Sequence, residues 1–202
     1  MEIDHYLNHK KAFVFKLDNV LYPEKDYLLQ VYYLFAEFMS YTEQLDAAKM
    51  IEYMQQEYLR NGDTEIFKKT ATIFQIPLKY ENNFLLLHQN ARLPLKLLLY
   101  KQVLQLLQDL VVERKEIFLL VDGDPVQQLN KIKQMEWHGL EQYLKVYFSE
   151  EFAPAPSADS IAFIKAQHKL TSDELLIVGI SDLDEQHAKQ IGVDFFLISK
   201  LF

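Results

Sequence analysis

Ala12–Tyr22 reads AFVFKLDNVLY. Ala12–Leu17 is a short apolar run interrupted by one lysine, and it reads as a buried strand. Pro23 and the acidic Glu24 break the run, because proline cannot donate to a strand ladder. Lys16, Asp18 and Asn19 therefore fall at the carboxyl end of a buried strand. Three chemically capable side chains in such a place decide how the rest of the chain is read.

Outward from this stretch the pattern turns helical. Between Asp26 and about Gly62, Leu28, Leu29, Val31, Tyr32, Phe35, Ala36 and Met39 recur at spacings of three and four, which puts them on one helix face. A second helix is expected over Glu43–Leu59, with Asn61-Gly62 as its stop. Asp63 or Thr64 caps a third over Glu65–Phe74, and Asn82–Asn90 and Pro94–Leu110 read as two more. The tyrosines and phenylalanines of the first helix are expected in a core, not on a ligand platform.

The period then changes. Glu116–Val121 is a continuous apolar run closed by Asp122-Gly123-Asp124-Pro125. This reads as a strand and turn, with Pro125 opening a helix through about Met135. Lys145–Phe148 is a further strand. Ala153–Ser157 is a loop, followed by a helix through about His168. Glu174–Ile180 is a strand, and Ser181-Asp182 cap a helix over Leu183–Gln190, with Asp182 and Glu185 spaced as a capping box. Phe195–Ser199 is the fifth strand.

One strand, a block of helices, then strands and helices in alternation predict an α/β fold. The expected sheet has five parallel strands with helices on both faces. Residues 1–22 and 95–202 are expected to form this core, and 23–94 an inserted helical cap able to act as a lid. Ligands of open parallel sheets bind beyond the carboxyl ends of the strands. Four loops matter for that reason: Lys16–Val20, Asp122–Pro125, Phe152–Ser157 and Ile180–Asp184.

In these loops the chain resembles the haloacid dehalogenase-like hydrolase superfamily, and its helical-cap subgroup in particular. The resemblance extends over about residues 12–199. It implies a Rossmann-like core and a phosphohydrolase chemistry. The first Asp of motif one attacks phosphorus, and the second acts as acid and base. A Ser or Thr after the second strand and a Lys in the third motif hold the phosphoryl group. Asp residues in the fourth motif hold Mg²⁺.

The chain departs from that pattern at four places. Lys16 stands at the nucleophile position, while Asp18 keeps the acid/base position. Asp122, in LLVDGDP with Gly123 and Asp124, stands where Ser or Thr is expected. Ala153 and Ala155 stand where relatives carry Lys. Ile180 replaces the first metal-binding Asp of motif four, while Gly179 and Asp184 are kept. Lys165 and Lys169 sit on or after the next helix, too far along to substitute.

Each departure has a chemical consequence. An ammonium has no lone pair with which to attack phosphorus. Mg²⁺ demands oxygen ligands, and neither Lys16 nor Ile180 supplies one. A carboxylate at Asp122 repels a phosphoryl group instead of donating to it. Without a lysine in motif three, developing charge in a phosphoryl-transfer transition state goes unmatched. Together these imply a pseudo-phosphatase that serves as a binding or regulatory module, with no cofactor and no metal expected. Lys16, among Asp18, Asp122 and Asp184, would act as a built-in counter-ion in place of Mg²⁺. The alternative is a small-molecule phosphohydrolase that uses Asp18, Lys16 and Asp122 in new roles. Partners are a small phosphorylated ligand or another protein.

Composition narrows the classes further. The net charge of −8 argues against a nucleic-acid binder, which needs clustered Lys and Arg. The absence of cysteine excludes disulfides, thiolate metal sites and cysteine nucleophiles, and it agrees with a cytoplasmic setting. No secretory leader and no membrane span are expected from the sequence. His5 and His9 share helical spacing but lie in what reads as a polar N-terminal tail, and the other histidines show no ligand spacing.

Overall fold

A computed structural model describes residues 2–152 and 158–202. The chain divides into two compact units, one of residues 1–23, 98–128 and 135–202, the other of residues 24–97 and 129–134.

The first unit is built on a parallel sheet. Its strands are β1 (Ala12–Phe15), β2 (Glu116–Val121), β3 (Leu144–Phe148), β4 (Leu175–Gly179) and β5 (Asp194–Leu197), in the spatial order β3-β2-β1-β4-β5. Register is fixed at the centre, where Val14 lies opposite Phe118 on one side and Ile177 on the other. The continuous apolar runs of β1, β2 and β4 follow from burial on both faces of the sheet. On one face Ala12, Val14, Phe118, Leu120, Leu175 and Ile177 pack with Ile161 and Ile164 of α8 (Ala158–His168) and Ala188 of α9 (Asp182–Gln190). Against β2 packs α6 (Lys101–Val112). Its Val103, Leu106, Leu107 and Leu110 form a buried helical stripe.

The second unit contains α2 (Glu24–Glu43), α3 (Ala47–Asn61), α4 (Ile66–Phe74) and α5 (Glu81–Asn90). Tyr27, Leu28, Val31, Tyr32, Phe35, Ala36 and Met39 of α2 are buried, as core residues should be. Phe84 of α5 is the hub of their packing, with Phe35 at 5.0 Å, Phe67 at 5.6 Å and Tyr32 at 6.2 Å between ring centroids. Separations of this order are those that aromatic pairs prefer.

Several local expectations are corrected. The N-terminal segment is not a tail but a helix, α1 (Glu2–His9), followed by Lys10, which anchors to the Asp173 carbonyl and the Asp194 carboxylate. The helix expected from Pro94 begins only at Lys101, because Leu97–Leu98 are extended. The fifth strand ends at Leu197, where the chain tightens into a 3₁₀ turn. Among the described residues no helix is long and apolar enough to cross a membrane.

Candidate functional site

Three of the four loops can be followed at the carboxyl end of the sheet, and all three lie in the first unit. The fourth, with Ala153 and Ala155, lies outside the described residues. After β1 the chain turns back at once. The Val20 and Leu21 amides donate to the Leu17 carbonyl, and the Asn19 amide donates to the Tyr22 carbonyl. Asn19 takes a left-handed conformation (φ 60°), which asparagine tolerates better than most residues. Leu17, Val20, Leu21 and Tyr22 are buried beneath this loop, which fixes where Lys16 and Asp18 emerge.

Asp18 is gripped at both oxygens. The buried Tyr22 hydroxyl donates to Oδ1 at 2.6 Å, and Gln128 Nε2 donates to Oδ2 at 3.1 Å. The same Gln128 amide reaches the Asp122 carbonyl at 2.8 Å, so it ties the ends of β1 and β2 together. Sequence reading missed both Tyr22 and Gln128. The signal for Gln128 lay in Pro125, which opens α7 (Pro125–Gln134). Helical side chains lean toward the N-terminus, so the residue one turn in bends back over the strand end. Asp124 Oδ1 accepts from the Val126 amide at 2.8 Å. It thereby satisfies one of the free amides at the helix start. Gly123 turns the chain between strand and helix at φ 91°, a conformation glycine adopts without steric cost.

Lys16 and Asp122 meet directly. Lys16 Nζ donates to Asp122 Oδ2 at 2.5 Å, and the two side chains are 15% and 59% exposed. The ammonium is thus largely desolvated while its partner faces water.

Asp184 is engaged in local structure instead. Its Oδ2 accepts from the Ile180 and Ser181 amides at 3.1 Å each and from the Ser181 hydroxyl at 2.9 Å. The Ser181 hydroxyl in turn accepts from the Asp184 amide at 3.2 Å. This is a reciprocal capping box on Ser181 and Asp184, where the sequence suggested Asp182 and Glu185. Gly179 makes room for it, because a Cβ there would lie 2.9 Å from Asp184 Oδ2 and 2.8 Å from the Phe195 ring. Ile180 is exposed, and its side chain offers no polar atom.

Among the described residues the arrangement therefore presents one cation, Lys16, with the nearby loops' carboxylates already engaged by protein donors. Among the described residues no group of three His, Asp, Glu or Cys side chains is placed to hold a metal. His5 and His9 follow the same rule: His9 Nδ1 meets the His5 carbonyl at 2.7 Å, a bond within α1. Lys165, on α8, is held by Ser172 Oγ at 2.6 Å.

A family model described as haloacid dehalogenase-like hydrolase matches residues 13–198. Solved structures agree. A hydrolase from Streptococcus pneumoniae TIGR4 is 15% identical with a TM-score of 0.54, over 94% of this chain and 92% of that one. A haloacid dehalogenase-like family hydrolase from Xanthomonas campestris is 14% identical with a TM-score of 0.56, over 94% and 81%. The L-2-haloacid dehalogenase from Xanthobacter autotrophicus, solved with chloropropionic acid covalently bound, is 18% identical with a TM-score of 0.56, over 92% and 76%. At these identities the likeness establishes the fold alone. No curated protein matches in sequence.

Proposed function

The chain belongs to the haloacid dehalogenase-like hydrolase family, and we propose that within it this protein is a pseudo-phosphatase, a binding or regulatory module that carries out no phosphoryl transfer. The observation that carries this reading is the 2.5 Å contact between Lys16 Nζ and Asp122 Oδ2. Lys16 occupies the position where the family resemblance implies a nucleophilic carboxylate. Its ammonium is neutralised by the residue standing at the phosphate-binding Ser/Thr position. A phosphoryl group entering here would have to displace a formed ion pair and meet the Asp122 charge.

The Mg²⁺ that the family resemblance implies needs oxygen ligands, and it does not fit this donor set. Lys16 and Ile180 supply no oxygen, Asp122 Oδ2 is taken by Lys16, and Asp184 Oδ2 closes the cap of α9. Lys16 is the natural substitute, a tethered cation that balances the retained carboxylates without a metal. The second unit is then a helical cap, and the zero cysteine count supports a cytoplasmic protein. Partners would be a small phosphorylated ligand or another protein.

The test is turnover of p-nitrophenyl phosphate with Mg²⁺. We expect no rate above buffer for the natural chain, and none for Lys16→Asp alone, because Asp122, Ala155 and Ile180 remain. Metal-dependent turnover by the natural chain would overturn the proposal. A thermal shift with phosphate, nucleotides or vanadate reads retained binding separately from chemistry.

A further inference from the structure

The second unit holds a cavity of about 480 Å³, within the size range of small-ligand sites. One wall is the segment 90–96, and the other includes Asn130 and Gln134 of α7. Surface loops are ordinarily mobile, but this one is pinned by side-chain amides. Asn130 Nδ2 and Gln134 Nε2 both donate to the Ala91 carbonyl, at 3.0 and 2.9 Å. The Leu93 amide donates to Gln134 Oε1 at 2.6 Å, and the Leu95 amide donates to Gln30 Oε1 at 2.8 Å. Pro94 stiffens the backbone between those two anchors.

What the pinned loop carries is positive charge. Residues 90–96 and 130–134 contain Arg92, Lys96, Lys131 and Lys133 and no Asp or Glu, in a chain of net charge −8. Lys131 is used internally, buried and 3.6 Å from Glu24. Arg92 and Lys96 both line the cavity, and among the described residues neither has an ion-pair partner. Both side chains are exposed, so their charges are open to an anion entering from solvent. An arginine fork and a lysine point charge lining the same cavity suit a tetrahedral or planar oxyanion.

We infer that this cavity binds an oxyanion group of a small molecule, a phosphate ester or a carboxylate, through Arg92 and Lys96. The site is separate from the Lys16–Asp122 pair and does not depend on how that pair is read. The amides of Asn130 and Gln134 shape it by fixing the loop, and the two cations supply the affinity.

The test is a titration of the full chain followed by amide NMR at constant ionic strength, with inorganic phosphate, citrate and chloride as probes. Saturable shifts at Leu93, Leu95 and Lys96 with phosphate, citrate or both support the site, and the stronger probe assigns the phosphoryl or carboxylate class. Arg92→Gln/Lys96→Gln should weaken that binding at least about tenfold, the scale of one charge-assisted contact. Its remaining spectrum should be unchanged, because the loop anchors do not use either side chain. Absence of saturation, an equal response to chloride, or undiminished binding by the double variant would overturn the inference.

Discussion

Ser181 and Asp184 hold each other reciprocally, with Asp184 Oδ2 accepting from the Ser181 amide and hydroxyl and Ser181 Oγ accepting from the Asp184 amide. A carboxylate that the family resemblance would assign to a metal is here the cap of α9. Asp184 therefore has a structural role in this chain that does not require chemistry.

The first prediction follows from that cap. Asp184→Ala leaves the Ile180 and Ser181 amides without their acceptor, and it should lower stability by about 1 kcal/mol, in the range of lost helix caps. Asp184→Asn keeps an acceptor oxygen and should cost less. Denaturant midpoints of the two variants decide this, and equal losses would contradict the capping role.

Gly179→Ala should be worse than either. The new methyl would press on Asp184 Oδ2 at 2.9 Å and on the Phe195 ring at 2.8 Å. Both neighbours are constrained, one by three hydrogen bonds and the other by the sheet edge. Overpacking of this kind costs roughly 1–3 kcal/mol. A thermal melt should show the drop, and Asp184→Ala in the same chain should relieve part of it, so the two losses should not add.

These two residues also show how much the sequence disclosed. The sheet was legible because strands buried on both faces must be apolar throughout, as Ala12–Phe15, Glu116–Val121 and Leu175–Gly179 nearly are. The end of Glu116–Val121 was legible for the same reason, since Asp122 stops the apolar run, whereas the first and fourth strands end at Phe15 and Gly179, short of the expected Leu17 and Ile180. Side-chain engagement was not. Whether Asp184 faces a ligand or its own backbone is a rotamer question, and composition and spacing are the same in both cases. Gln128 was hidden because it is a common polar residue inside a helix, and only the lean of the α7 side chains brings it over Asp18. The helix α1 was hidden because its apolar contacts are sparse, with Ile3 its one fully buried residue among those described.

A third prediction concerns acid. Burial is the main reason the His88 imidazole is lowered from 6.5 to about 4, with Lys131 adding to it and Asp63 opposing. The unfolded chain therefore binds a proton between those values that the folded chain refuses. The contribution is fully present above pH 6.5, falls as pH drops from 6.5 toward about 4, and changes no further below that. His88→Phe should flatten this part of the stability-versus-pH curve, as measured by urea unfolding at stepped pH. A slope unchanged by the substitution would assign the acid sensitivity elsewhere.

The last prediction separates the two members of the central ion pair. Lys16→Met and Asp122→Ala remove the same 2.5 Å contact, yet they leave different orphans. After Lys16→Met the abandoned group is a carboxylate 59% exposed, which water can solvate. The cost should then be within the range of about 0–1 kcal/mol typical of exposed pairs. After Asp122→Ala the abandoned group is an ammonium only 15% exposed, which water reaches poorly. That cost should approach the roughly 1–3 kcal/mol of an unsatisfied buried group. Solvent access to the orphaned group therefore sets the order, with loss of the cation tolerated better than loss of its partner. Chemical denaturation of both variants measures the order directly, and the reverse order would mean that Lys16 is held by contacts other than Asp122.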